Sequence, residues 1–417
     1  MWSRTFDLLY VRFNSLDPPL SIGEDTAIIN PMIGKEKMKS TWLLAGAALS
    51  VLVACSEAPA EAPTEASMPE APKADPVLAG KWIMEADGGV MLDPQTSGLT
   101  HRNGKLYSIS DGSALKSQRL QIHEIDPASA TLSPKVDAMS MAGRVRRSCF
   151  AQYLSDEPDL EALVADPNDD NVFYTVTEDA TRTGALSDNC QKRFENTGST
   201  DYPTLLVRVE ATSEGRYRMT HVRPLQFPLE FAVGDFPNDG IEGMALSQDG
   251  TLYLGLERDN AGNPRIFTVQ LNDEFWQQTD FAVVADPALA VPTFDSGRHP
   301  INGLEYYSPA EGKGFLLAAA RNDNELWVID TTGALPTKKI SLQFSAPSGD
   351  PVNCAEQEIM DNASIEGLAV IGDTLWLVND PWKVNYMKNL QCEANRARYE
   401  GMAPLLFNMP IDDAWFK

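Results

Sequence analysis

The sequence predicts an all-β protein folded as a β-propeller, a ring of four-stranded antiparallel sheets called blades. A hairpin pattern occurs five times, further short apolar runs follow each copy, and no long amphipathic helix pattern appears after Val77. The copies start roughly 60 to 80 residues apart, a period that suits a repeated blade of four strands. Together the observations favour a ring of repeated blades.

The clearest hairpin lies at 241–259, where two apolar runs flank Gln248-Asp249-Gly250. An Asp-Gly pair between apolar runs predicts a tight hairpin turn, because such turns need positive φ angles that these residues tolerate. The other four copies of this pattern occupy residues 97–111, 160–179, 302–323 and 365–380.

A third strand is predicted after each hairpin, at 119–126, 204–210, 265–271, 325–330 and 404–410. A fourth is predicted in four units, at 135–141, 217–225, 280–286 and 338–344. The last unit lacks one, and the segment 81–87 is expected to supply it, so that an N-terminal strand closes the last blade and removes the open sheet edges. This count gives five blades. Six blades, with a degenerate blade between 180 and 240, and a pair of β-sandwiches remain open as alternatives.

The N-terminal region predicts export and a lipid anchor. Residues 1–37 are interpreted as a start-site extension, and 38–54 as a signal peptide in which an apolar run follows three nearby lysines. Leu-Val-Ala-Cys at 52–55 resembles a bacterial lipobox, which implies cleavage before Cys55 and acylation of its thiol. Residues 55–76 form a Pro/Ala/Glu-rich tether, which cannot bury a core, and the propeller domain spans 77–417.

The predicted location is the cell envelope. Ser56, the second residue of the mature chain, implies the outer membrane of a Gram-negative organism, facing the periplasm or the cell exterior. An ordinary secretory signal with an incidental Cys remains the alternative. The apolar run is too short for a membrane-spanning helix.

Several blade segments carry a family resemblance. The acid-Gly-Leu openings, the segment LYLGLERD at 252–259 and the segment LWLVNDP at 375–381 resemble the phytase-like propeller family described as "esterase-like activity of phytase". The resemblance covers about 77–417 and implies a propeller fold with hydrolase chemistry. The sequence lacks the dense run of acids of calcium-dependent phytases, which weakens any expectation of phytate cleavage.

Four cysteines besides Cys55 predict two disulfides in an exported domain. In an antiparallel meander, the entry to the first strand and the loop after the second strand lie at the same edge. Cys149 and Cys190 hold these positions in the second unit, and Cys354 and Cys392 hold them in the fifth. The predicted bridges are therefore Cys149–Cys190 and Cys354–Cys392, with free buried thiols as the alternative.

The same edge argument predicts a site at the mouth of the central channel. Oxygen ligands at the strand starts and hairpin ends would suit Ca²⁺, and the candidate metal ligands are Glu161, Glu242, Asp259, Asn302 and Glu366. A bound cation could polarise a phosphoryl or carbonyl oxygen. The candidate residues for holding an anionic substrate are Arg258, Arg298 and Arg321, and the candidate catalytic residues are Glu242 and His299. Alternatively, the Glu residues bond to backbone N–H groups of the next blade, and the Asp residues cap turns.

Charge and motifs narrow the classes of function. The chain has 34 basic and 59 acidic residues, a formal net charge of −25, which disfavours nucleic acids and anionic lipid surfaces as partners, because both need basic patches. The predicted function is cation-assisted hydrolysis of a phosphoester or another ester by a monomer that binds a small anionic ligand. A non-catalytic propeller that binds a ligand or an envelope protein is the alternative, and a lactonase-like propeller is a further one.

Mature protein isolated from the envelope is expected to begin at Cys55 and to lack every peptide from 1–54, because the signal peptide is removed on acylation. Mass spectrometry of tryptic peptides checks this expectation. Peptides from residues 2–34 in the mature protein would contradict it.

Overall fold

The structure is a computed structural model that describes residues 76–178, 180–231, 233 and 238–417, with only the backbone of Lys383 and Val384. The predicted start-site extension, the signal peptide and the tether up to residue 75, including Cys55, lie outside the described residues. Within the described ranges, no helix has the length and apolar character that a membrane span requires.

Twenty-four strands and five short helices form the described chain. The first eleven strands are β1 (Val77–Ala79), β2 (Lys81–Trp82), β3 (Thr96–Arg102), β4 (Lys105–Ser110), β5 (Ile122–Asp126), β6 (Thr131–Leu132), β7 (Ser140–Met141), β8 (Leu160–Ala165), β9 (Val172–Thr177), β10 (Leu205–Ala211) and β11 (Tyr217–Gln226). The next eight are β12 (Ile241–Leu246), β13 (Thr251–Leu256), β14 (Arg265–Gln270), β15 (Ala282–Val283), β16 (Ile301–Ala310), β17 (Lys313–Ala320), β18 (Glu325–Asp330) and β19 (Lys338–Ser341). The last five are β20 (Gln343–Pro347), β21 (Gln357–Ile359), β22 (Ile365–Ile371), β23 (Thr374–Asn379) and β24 (Leu405–Pro410). The helices are α1 (Gly143–Arg146), α2 (Ala151–Ser155), α3 (Asp188–Arg193), α4 (Lys383–Tyr386) and α5 (Arg396–Glu400).

Five antiparallel sheets follow one another along the chain, and each begins with one of the five predicted hairpins. In order, they are β3-β4-β5-β6, β8-β9-β10-β11 (with β7 and β15 added in parallel to β11), β12-β13-β14, β16-β17-β18-β19 and β22-β23-β24-β2. We number them sheets one to five. A sixth, smaller sheet has the order β1-β20-β21. The all-β class and the five hairpins are therefore confirmed.

The N-terminal strand joins the last sheet, as the missing fourth strand predicted. Lys81 and Trp82 of β2 pair antiparallel with Leu406 and Leu405 of β24. Residues from the two ends of the described domain therefore share sheet five, which ties its beginning to its end.

The first strands of the five sheets contact one another in a closed cycle. β3 contacts β8, β8 contacts β12, β12 contacts β16, β16 contacts β22, and β22 returns to β3. The first strands β8 and β12 are buried along almost their whole length, because neighbouring sheets cover both of their faces. The apolar clusters of the core fill the spaces between adjacent sheets.

Three of the predicted fourth strands differ in the structure. In sheet one the fourth strand is β6, and the predicted segment 135–141 contributes only β7, which pairs with β11 of sheet two. Sheet three has three strands, because 280–286 contributes β15 to β11 of sheet two and reaches sheet three only through the Thr268–Ala285 bridge. In sheet four, 338–344 splits between β19 and β20, and β20 joins the small sheet.

Both predicted disulfides are confirmed. Cys149 bonds to Cys190 across 41 residues, and Cys354 bonds to Cys392 across 38 residues. Closing loops of this length restricts the unfolded chain and stabilises the fold by roughly 3–4 kcal/mol per bridge in the chain-entropy account.

Substitution of Gly367 by Ala is expected to lower the free energy of unfolding by about 2 kcal/mol or more. A Cβ atom at Gly367 would lie 2.5 Å from the Gly98 carbonyl carbon and from the Leu99 nitrogen, where β22 meets β3. Backbone atoms cannot yield as the end of a flexible side chain can, so the contact that completes the cycle must open. Denaturant unfolding measures the effect.

The matched control is Gly143→Ala. There the nearest atom to a new Cβ is the end of the Arg147 side chain at 3.1 Å, which can move aside. Equal unfolding free energies for Gly367→Ala and the parent chain would contradict the close approach of β22 to β3.

Candidate functional site

An irregularity near the start of each first strand places one side chain per sheet in equivalent positions. The register of the hairpin shifts beside this position in all five sheets, as expected at a β-bulge. We call these residues the inner ring, and they are Ser97, Glu161, Glu242, Asn302 and Glu366. Each of them is at most 7% exposed.

A second set of five residues follows directly after the second strand of each sheet. We call it the hairpin-end set, and its members are Asp111, Glu178, Glu257, Arg321 and Asp380. Backbone hydrogen bonds hold four of them beside the strand entry of their own sheet. For example, the Glu178 nitrogen donates to the Asp159 oxygen at 3.1 Å, and the Glu257 nitrogen donates to the Gly240 oxygen at 2.9 Å. The hairpin geometry therefore brings the two sets together.

Both sets contribute to one cavity of about 240 Å³. The cavity-lining members of the two sets are Ser97, Glu161, Glu242 and Glu366, and Asp111, Glu178, Arg321 and Asp380. Asn302 and Glu257 are fully buried, and the Asn302 amide nitrogen lies 3.4 Å from Glu257 Oε1 and 3.5 Å from Glu366 Oε1. We call the cavity of about 240 Å³ the acidic cavity.

One side of the acidic cavity holds three carboxylates suited to a cation. One oxygen each from Asp111, Asp159 and Glu161 lies within 4.8 Å of the other two. The Gly112 nitrogen donates to Asp159 Oδ1 at 3.0 Å, and the Ala114 nitrogen donates to Asp111 Oδ1 at 3.0 Å, so both side chains are held in place. We call these three residues the acid triad.

Two arginines face the acidic cavity from another side. Arg321 donates to Glu257 Oε1 at 2.9 Å and also pairs with Glu366. Arg298 pairs with Glu257 and donates to Asp239 Oδ1 at 3.1 Å. Although burial disfavours its charge, the pKa of Arg321 is raised by Glu366 and Glu257. Arg321 is therefore a permanent cation in the same cavity as the triad.

Several carboxyl groups of the acidic cavity bind protons more tightly than usual. Burial raises the pKa of Asp111 to about 8, with Asp159 and Asp380 adding to the shift. Burial also raises the pKa of Glu242 to about 8, Glu257 raises it further, and Arg321 and a hydrogen bond with Glu178 oppose the shift. The pKa of Glu161 is raised by burial and by Glu242. The Arg321 and Arg298 charges therefore do not neutralise the whole cluster.

Three predicted site residues, Asp259, Arg258 and His299, do not line the acidic cavity. The Asp259 carboxylate bonds Arg265 at 2.6 Å and the Ala261 nitrogen at 2.9 Å, so it caps a turn as the alternative interpretation had it. Arg258 pairs with Asp239 at 2.7 Å and is not among the residues that line the cavity.

The position of His299 does not suit the role of base that was predicted. Its Nδ1 lies 2.9 Å from Asp323 Oδ1, its Nε2 lies 3.0 Å from the Ser296 oxygen, and its ring stacks on Phe294. Both ring nitrogens are thus engaged in a loop outside the cavity lining. Glu161, Glu242, Asn302, Glu366, Arg298 and Arg321, by contrast, lie together in or beside the acidic cavity.

The candidate site residues did not include Asp159, Asp111 and Trp382. A usable signal existed for Asp159, because it precedes Glu161 by two residues and side chains two apart on a strand share a face. Asp111 follows a second strand directly, like Arg321, so the hairpin-end position also identifies it. Trp382 is half-exposed at the cavity, 5.8 Å from the Arg321 guanidinium, and the sequence offered no signal for it.

No family model matches the chain, and no curated protein sequence matches it. Among solved structures, it is similar to an exo-β-1,3-galactanase from Phanerochaete chrysosporium, with 12% identity, a TM-score of 0.40 and coverage of 81% of this chain and 64% of the galactanase. It therefore spans slightly less than two thirds of that protein. An exo-1,5-α-L-arabinanase from a bovine ruminal metagenomic library has 10% identity, a TM-score of 0.37 and coverage of 78% of this chain and 95% of the arabinanase.

A third similar structure is a putative glucose dehydrogenase from Thermus thermophilus, with 11% identity, a TM-score of 0.35 and coverage of 80% of this chain and all of the other. Likenesses of this degree do not identify a function for the chain.

The substitution Arg321→Met is expected to destabilise the protein by about 3 kcal/mol at pH 8 and by clearly less at pH 5. Without Arg321, Glu366 loses its cation and Glu257 keeps only Arg298, and the pKa of Glu366, already raised by burial, rises further. A carboxyl whose folded pKa exceeds its unfolded value contributes most stability below the unfolded pKa, near 4.5, and loses it as the pH rises through the folded pKa. Urea unfolding at both pH values measures the difference.

Arg396→Met is the control, because Arg396 pairs with Glu393 and Glu400 at an exposed position. Its effect should stay below about 1 kcal/mol at either pH. A loss for Arg321→Met that is the same at pH 5 and pH 8 would contradict the proposed carboxylate origin.

Proposed function

We propose that the described domain is a five-bladed β-propeller that binds a divalent cation in the acidic cavity and hydrolyses a phosphoester or another ester there. The propeller is supported by five hairpin-led sheets whose first strands contact one another in a cycle. The observation that carries the hydrolase proposal is the acid triad lying in the same cavity as Arg321 and Arg298. A cation site beside an anion site suits a substrate that bears a negatively charged oxygen.

The residues of the acid triad fit a hard cation such as Ca²⁺, which takes six to eight oxygen ligands. Burial and mutual repulsion raise the pKa of both Asp111 and Glu161, a cost that a bound cation would relieve. Glu161 is 6% exposed, so its carboxyl group is largely shielded from water. Asn302 is fully buried, and its amide oxygen has no hydrogen-bond partner among the described residues. The proposed ligand set is the acid triad, and it shares only Glu161 with the ligand set predicted from the sequence.

In this proposal the protein residues orient the substrate and move a proton. Arg321 and Arg298 would hold the anionic group, and each already donates to carboxylates, so their positions are fixed before binding. When bound, the cation would polarise the ester oxygen. Water would form the new bond to the ester centre and release a proton to solvent, while Glu242, hydrogen-bonded to the Glu178 side chain, would donate its own carboxyl proton to the oxygen of the leaving group as the ester bond breaks.

We also propose that the protein belongs to the phytase-like propellers and acts outside the cytoplasm as a monomer, anchored to the outer membrane through acylated Cys55. The blade segments support the family proposal, and the lipobox supports the anchor. Two disulfides are typical of an oxidising compartment.

A non-catalytic propeller that binds a ligand or an envelope protein is the second candidate. It is favoured by the pairing of both arginines with protein carboxylates, which satisfies their charge without any substrate. A lactonase-like activity would use the same cation site on a cyclic ester, so a lactone belongs in the substrate panel.

Added CaCl₂ is expected to raise the melting temperature of the chelator-treated protein by at least about 3 °C, because a ligand that binds only the folded state stabilises it. Glu161→Gln and Asp159→Asn should each abolish this shift and reduce hydrolysis of p-nitrophenyl phosphate or p-nitrophenyl acetate roughly a hundredfold. Thermal melting and a colorimetric assay measure the two effects. Glu242→Gln should reduce hydrolysis while keeping the calcium shift.

Asp170→Asn is the matched control, because it removes one carboxylate from the exposed turn at the far end of the hairpin that carries Glu161. It should keep both the calcium shift and the activity of the parent. A calcium shift without hydrolysis of any ester would support the non-catalytic candidate. The absence of a shift with Ca²⁺, Mg²⁺ or Mn²⁺ would overturn the cation site.

A further inference from the structure

A second cleft, unrelated to the acidic cavity, lies beside the Cys149–Cys190 disulfide. It has a volume of about 280 Å³, near the lower end of the range of small-ligand sites. Buried apolar side chains and arginines share its lining, chiefly Val145, Phe150, Phe194, Arg144, Arg147 and Arg193. We call it the arginine cleft. It shares no lining residue with the acidic cavity.

The arginine cleft is a concentration of positive charge in a protein of net charge −25. Arg144 and Arg147 of its lining and the adjacent Arg146 occur within four residues, and no acidic residue occurs from 138 to 155. All three are exposed. Such a cluster makes the local electrostatic potential more positive in spite of the overall negative charge. A bound anion would reduce the repulsion among the arginines.

The three arginines differ in their partners from the nine described arginines that form ion pairs. Among the described residues, none of Arg144, Arg146 and Arg147 forms an ion pair with a carboxylate, although Arg144 donates to the Trp276 oxygen at 3.2 Å and Arg146 to the Met141 oxygen at 2.8 Å. By comparison, exposed Arg216 and Arg396 each pair with two carboxylates. Arg193 pairs with Asp280 at 2.6 Å, but both side chains are exposed, so this pair is weak and open to exchange.

We propose that the arginine cleft binds a phosphate group, carried either by a lipid headgroup or by a soluble phosphate compound. Guanidinium groups match the geometry of phosphate oxygens with two parallel donors. The apolar floor formed by Val145, Phe150 and Phe194 would contact the carbon part of the molecule that bears the phosphate. This binding function does not depend on the hydrolase proposal, because neither site contains residues of the other.

The test uses the full chain with Cys55→Ser, so that no acyl chain causes vesicle binding. The vesicle arm compares co-sedimentation with phosphatidylcholine alone and with phosphatidylcholine and phosphatidylglycerol in a roughly three-to-one ratio. The soluble arm titrates inorganic phosphate and glycerol 3-phosphate by calorimetry. Binding in at least one arm is expected, it should weaken as NaCl is raised, and Arg144→Gln/Arg147→Gln should reduce the affinity at least about tenfold.

Two further variants keep the test sharp. Lys313→Gln/Arg396→Gln removes the same charge elsewhere on the surface and should bind like the parent. Arg144→Lys/Arg147→Lys should restore part of the affinity. Binding of phosphatidylglycerol vesicles alone would identify a lipid headgroup, and binding of soluble phosphate alone would identify a free ligand. No binding in either arm, or equal loss in the control pair, would overturn the proposal.

Discussion

The burial of more carboxylates than cations in the acidic cavity is the constraint on which the rest of the structure depends. The ten positions of the inner ring and the hairpin-end set hold seven acids and one arginine. Each buried carboxylate loses hydration, and several repel one another, as the raised pKa values of Asp111 and Glu242 reflect. The fold must compensate with Arg321 and Arg298, with protons or with a bound cation. This need explains why the arginines lie among the acids rather than at the surface.

The sheet cycle creates that burial. Gly98, Gly243, Gly303 and Gly367 follow inner-ring residues directly, and a Cβ atom at any of them would press on the neighbouring first strand. The small residue lets the strands approach, and the adjacent bulge reorients the side chain before it. The Glu-Gly and Asn-Gly pairs are therefore structural and chemical signals at once, since the glycine lets the strands approach and the residue before it lies in or beside the cavity.

The sequence predicted the hairpins well because apolar runs and Asp-Gly or Asn-Gly turns are local features. It predicted the outer strands poorly, because segments such as 280–286 are short and their pairing is decided by whichever sheet edge lies nearest. The site shows the same division. Strand-entry residues such as Glu242 and Glu366 were found from their repeat position. His299 and Asp259 were predicted at the channel mouth, but His299 lies in a loop and Asp259 caps a turn outside the cavity lining. Their actual partners, Asp323 and Arg265, depend on loop conformations that no periodicity encodes.

The asymmetry of the two sets bears on the choice between a structural and a ligand-binding role. If the acids only held backbone groups of the next sheet, the same residue type would serve in all five sheets. Instead, the acid triad comes from sheets one and two, while Asn302 and Arg321 occupy the equivalent positions of sheet four. Arg298, in the segment before sheet four, adds a second cation on that side. The acidic cavity therefore has clustered carboxyl groups on one side and fixed cations on the other, and this arrangement favours a ligand that presents a cation to the triad and an anionic group to the arginines.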